Sequence, residues 1–125
     1  MIRLTFLIPV LLLAACLETK DVSVTPAAEN DAALQTASFH MSEQLKDPES
    51  LKLRRVSHFR TSEGDDIICG EMDAKNSFGG YNGYTPFYVR IRSNQVQRAF
   101  FGADAKYNAA AGCKDAAAGL IKVAA

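Results

Sequence analysis

At 125 residues, the chain is long enough for one domain and no more. It is 48% hydrophobic and 22% charged, a globular composition that excludes an intrinsically disordered chain. Fourteen Lys and Arg balance fourteen Asp and Glu, which excludes a basic field for holding nucleic acid.

Residues 1–15 read as a targeting segment. Arg3 supplies one positive charge, and Leu4 to Leu13 is an apolar run interrupted only by Thr5 and Pro9. That run is too short for a membrane span, which needs about 20 residues. It ends in Leu13-Ala14-Ala15-Cys16. This ending resembles the lipobox of bacterial lipoproteins, in which small residues admit a signal peptidase and the cysteine thiol accepts a diacylglycerol. The resemblance implies cleavage before Cys16 and a covalent lipid on it. Leu17 stands where an Asp retains many such proteins in the inner membrane, so the resemblance points to the outer membrane, facing the periplasm. Residues 16–30 are polar, small and unperiodic, with Pro26 inside, and read as a lipidated N-terminus and flexible tether. Residues 31–125 then form a single globular domain.

Asp31 to Lys46 carries Leu34, Ala37, Met41 and Leu45 at helical spacing, with Asp31 as the expected cap. Asp47-Pro48 stops that helix and starts a short turn. Leu53 to Phe59 reads as a strand of mixed pattern, and hence an edge strand. The clearest pattern is a hairpin from Ile67 to Ile91. Ile68, Gly70, Met72 and Ala74 alternate with Cys69, Glu71 and Asp73, and Phe87, Val89 and Ile91 alternate with Tyr88, Arg90 and Arg92. Antiparallel pairing predicts a wet face on which Glu71 and Asp73 meet Arg90 and Arg92. Val96 to Phe101 is a third strand. The Ala-rich stretch from Asp104 is helical in propensity but interrupted at Gly112, with Leu120, Ile121 and Val123 available to pack. The fold class is α+β: a small antiparallel sheet of three or four strands, helices on one face, and one disulfide.

Two blocks, Leu45–Val56 and Ile68–Phe87, resemble small proteobacterial envelope proteins with the pattern LKDPxS … CGExxxKNxxGGYxG. Leu53 and Asp73 depart from it, standing where Phe and Asn are usual. The resemblance implies an envelope domain and no activity.

With Cys16 lipidated in an oxidising envelope, Cys69 and Cys113 are the remaining thiols and are expected to pair. No Cys-x-x-Cys is present, and His40 and His58 stand at no metal-ligand spacing from either cysteine, so no metal and no cofactor beyond the lipid is expected.

The loop Lys75 to Tyr84 is the candidate contact surface. Gly79, Gly80 and Gly83 allow unusual backbone, while Phe78, Tyr81 and Tyr84 offer flat faces and Asn76 and Asn82 offer amides. The glycines make no phosphate loop, because the Lys-Ser/Thr ending is missing. The alternative for the loop is purely structural, with its rings folded onto the sheet. A Ser77–His58–Asp73 or Glu71 hydrolase lacks a nucleophile elbow. Glu71 and Asp73 as a glycosidase pair already have arginine partners. No catalytic residue and no enzyme is expected. The function expected is a lipid-anchored envelope module binding a protein or a cell-wall glycan through this loop. The alternative is a small inhibitor or exclusion factor that blocks another protein's cleft.

Overall fold

The computed structural model describes residues 16–125; the targeting segment expected over residues 1–15 lies outside them. Six antiparallel strands form one curled sheet shaped as a half-barrel. They are β1 (Thr19–Pro26), β2 (Lys52–Thr61), β3 (Asp66–Asp73), β4 (Thr85–Arg92), β5 (Gln95–Phe100) and β6 (Leu120–Ala124). Their order across the sheet is β5-β4-β3-β2-β1-β6. Two helices, α1 (Asp31–Ser42) and α2 (Lys106–Ala118), pack on opposite faces.

This corrects the expected three- or four-stranded sheet with helices on one face. The missing strands come from the two ends of the chain. The stretch expected as a tether contains β1, where Val22 and Val24 point into the core while Asp21, Ser23 and Thr25 point out. β1 pairs with β6 from Thr19↔Ala124 to Ser23↔Leu120 and with β2 from Val24↔Thr61 to Pro26↔Phe59. β2 is therefore interior, and its mixed pattern has a different cause, described below. Leu120, Ile121 and Val123, expected only to pack, form the closing strand.

The cap of α1 lies one residue before the expected Asp31, which is itself the first helical residue. Asn30 is the cap, its Oδ1 accepting from the Ala33 amide at 3.2 Å. Ala33, Ala37 and Met41 bury against Ile68, Met72, Phe87, Val89 and Ile91 on one face of the sheet. On the other face, α2 reaches Tyr88 on β4 and also Val22, Ile121 and Val123 on β1 and β6. A straight helix touches both halves of a curled sheet only from inside the curl. Gly112 does not break α2: a Cβ there would lie 2.9 Å from the Tyr88 ring, so the glycine is the point of closest approach. Cys113, one residue on, is bridged to Cys69 on β3.

The expected wet face is also corrected, since α2 covers it at Cys69 and Tyr88 and leaves only its Glu71 end open to solvent. Register pairs Glu71 with Pro86 and Ile67 with Arg90. Arg90 and Arg92 turn instead to Asp65, just before β3, each donating to its carboxylate at 2.6 Å. The long hairpin connection explains the miss, because only a tight turn fixes register from sequence.

Candidate functional site

The connection between β3 and β4, residues 74–84, folds around Asn76. Its Oδ1 accepts from the amides of Phe78 at 2.9 Å and Gly80 at 3.2 Å, and its Nδ2 donates to Asn82 Oδ1 at 2.8 Å. The Asn76 amide donates to the Gly80 carbonyl at 2.8 Å, and Lys75 bridges to Tyr81 as a one-rung ladder. Gly79 and Gly83 hold φ of +82° and +106°, a region that strains any residue with a Cβ. Gly80, expected to share that role, has ordinary φ.

The base of the loop is pinned from below. Asp73 is buried, and its carboxylate accepts from the amides of Ala74 at 2.9 Å and Gly83 at 3.2 Å. Ser50 Oγ accepts from the Lys75 amide at 2.9 Å, and the Ser50 carbonyl accepts from the Tyr81 hydroxyl at 2.9 Å. A pocket of about 240 Å³ lies beside this base, lined by Leu45, Met72, Ala74 and Ala103 among others.

The five residues expected to contact a partner divide sharply. Asn76 and Asn82 are occupied inside the loop. Tyr81 folds back with Lys52 Nζ 4.2 Å over its ring, and Tyr84 lies 3.8 Å beneath the Arg54 guanidinium. Tyr81 keeps 38% exposure, while Phe78 at the tip is 98% exposed. The structure thus gives the two tyrosines a supporting position and leaves Phe78 as the open ring.

Arg54 and Arg55 carry no such signal in the sequence, where consecutive strand residues read as opposite faces. The pairing shifts by one between Arg54↔Glu71 and Ser57↔Cys69, so Arg55 and Val56 together face Gly70. Both arginines therefore reach the same carboxylate, Glu71, at 3.0 Å each. The hydrogen bond from Arg54, with the charges of both arginines, holds the Glu71 carboxyl below its ordinary value against a smaller opposing effect of burial.

The residues weighed for catalysis are not brought together. His58 Nδ1 accepts from the Asn30 amide at 3.3 Å, Asp73 serves backbone amides, and Glu71 serves the arginines. Among the described residues, no group of His, Cys, Asp and Glu is arranged to hold a metal ion. A larger groove, about 680 Å³, runs inside the curl between β5 and β6 beside α2. Two of its cations are already engaged, Arg90 by Asp65 and Lys122 by Asp21 at 2.9 Å.

Cys16 is exposed and unbridged, three residues before β1. The start of β1 adjoins the turn between β2 and β3: the Ser62 amide donates to the Ser23 carbonyl, and Lys20 pairs with Glu63. β3 leaves that turn and runs its eight residues to the loop, about 25 Å away. Cys16 and Phe78 thus stand at opposite ends of the sheet. No family model, no curated protein and no solved structure matches this chain.

Proposed function

We propose that this protein is a lipid-anchored module of the bacterial cell envelope that holds a partner protein or cell-wall glycan through the tip of its 74–84 loop. The observation that carries the reading is a loop pinned at its base that leaves one large apolar ring, Phe78, almost wholly in solvent. An exposed aromatic side chain on a rigid support contributes nothing to the fold and suits a contact. The lipobox-like Leu13-Ala14-Ala15-Cys16 supports an acylated Cys16, and Leu17 in place of Asp supports a position at the periplasmic face of the outer membrane. Acyl chains bury at about 0.8 kcal/mol per CH₂, so the anchor needs no help from protein charge. With only Leu17 and Glu18 between Cys16 and β1, an acylated domain sits directly on the bilayer, and its loop points away from it.

Rigidity favours a second reading as well. A loop with this many internal hydrogen bonds is prepared to plug a cleft, as an inhibitor or exclusion factor does. Cys16→Ser is expected to move the protein from the membrane pellet to the soluble or precursor fraction and to abolish labelling by a palmitate analogue. A wild-type protein that takes up no label would remove the anchor from this account.

A further inference from the structure

We propose that the bulge in β2 builds a docking site for an acidic segment of a partner protein, with Arg54 and Arg55 binding its carboxylates and Phe78 as the apolar anchor. The proposal rests on the loop being a contact surface and names the chemistry of what it contacts. Arg55 sits at φ +53°, a left-handed backbone that arginine rarely adopts. Strain of this kind is retained where the surroundings enforce it, and here both strands do. Gly70 faces the bulge, and a Cβ there would meet the Arg54 carbonyl at 3.0 Å and the Phe87 ring at 2.9 Å.

What the bulge achieves is two guanidinium groups side by side on one face. They share a single carboxylate, Glu71, each through one bond, although each guanidinium has five N–H donors. The Tyr84 ring supports Arg54 from below, Lys52 over Tyr81 adds a third cation, and Arg55 keeps 76% of its side chain exposed. The other nearby carboxylate, Asp73, is buried and occupied by the Ala74 and Gly83 amides.

Asp65 gives an internal comparison. It too takes two arginines, but its carboxylate is buried, at 1% exposure, and Arg90 is largely buried with it, so that cluster holds the fold together. The Arg54–Arg55 pair is its open counterpart, with donors left for a second anion. Arginine forks match carboxylates in geometry as well as charge. Phe78 selects a protein over a glycan, because a bare phenyl ring is buried best in an apolar pocket.

The test titrates the isotope-labelled full chain in detergent. One probe is an acetylated peptide of glutamates flanking a leucine, and a second is its glutamine counterpart. A third is a soluble uronic-acid oligosaccharide. Saturable shifts at Arg54, Arg55, Tyr84 and Phe78 are expected with the acidic peptide, and binding about tenfold weaker or less with the glutamine peptide. Arg55→Glu should weaken binding at least about tenfold, while Arg60→Glu, an exposed arginine paired elsewhere, should leave it unchanged. Shifts with the oligosaccharide but not the peptide, or an equal loss with Arg60→Glu, would overturn the proposal. So would a flat titration while Phe78 still crosslinks to a partner in intact envelopes. Shifts confined to the arginines, with Phe78 unmoved, would instead overturn the contact-loop reading itself.

Discussion

Asp65 is the residue on which the most structure converges. Its backbone amide donates to Thr61 Oγ1 at 3.0 Å, and its carbonyl accepts from the Thr61 amide at 2.9 Å. Its carboxylate fastens Arg90 and Arg92. Burial alone would raise its carboxyl, but the hydrogen bonds from Arg92 and Arg90 outweigh that and hold it below its ordinary value. A folded value depressed in this way contributes stability that is present above the unfolded value and lost as pH falls through the folded one. Acid melts are therefore expected to show a loss beginning near pH 4 and continuing below it, with the loss much reduced in Asp65→Asn. At neutral pH the same change should cost about 2–3 kcal/mol, since it strands the largely buried Arg90 and leaves Arg92 with Glu63 alone. An Asp65→Asn protein as stable at pH 7 as wild type would show the cluster to be ornamental. Nothing in the sequence distinguished Asp65 from its neighbours in a polar turn. Its role depends on where two arginines of the neighbouring β4, distant only in sequence, arrive.

At the scale of elements, helices and strands with strong local pattern were legible, and their relations were not. The hairpin's alternation and the helical spacing of Ala37 and Met41 reflect burial against a surface, which local sequence records. The bulge in β2 adds one residue and turns Arg55 onto the face of Arg54, so the strand's own pattern looked mixed and mimicked an edge. Gly112 looked like a break in α2 because its reason, the Tyr88 ring, lies on another element. The pairing of Cys69 with Cys113 followed from counting thiols, and the bridge fixes α2 inside the curl. It closes a loop of about 45 residues, worth about 4 kcal/mol by chain entropy. Reduction is expected to lower the melting temperature by well over ten degrees. Two free thiols under non-reducing alkylation would contradict the bridge.

For the whole molecule, the decisive element is β1. Val22 and Val24 alternate with polar neighbours, but two apolar residues beside Pro26 are too weak a signal to outweigh a composition that reads as linker. Only pairing with both β2 and β6 makes the stretch a strand. Val22→Asp with Val24→Asp should therefore unfold the domain, whereas a tether would tolerate both; thermal melts decide. With β1 in place, Cys16 and the loop stand at opposite ends of the sheet, which a flexible tether would not require. Within the loop, sequence showed the aromatic content but not its division: Tyr81 and Tyr84 brace against β2, while Phe78 is free. The central claim is that Phe78 makes the contact and the tyrosines hold it in place. Crosslinking of intact envelopes carrying Phe78→Ala, read beside its melting curve, tests this most directly. Stability is expected within about 0.5 kcal/mol of wild type with the partner adduct lost. Tyr81→Ala with Tyr84→Ala should cost about 2–3 kcal/mol through the lost hydroxyl bond and stacked cations. A Phe78→Ala protein of unchanged stability that still forms the adduct would contradict the account.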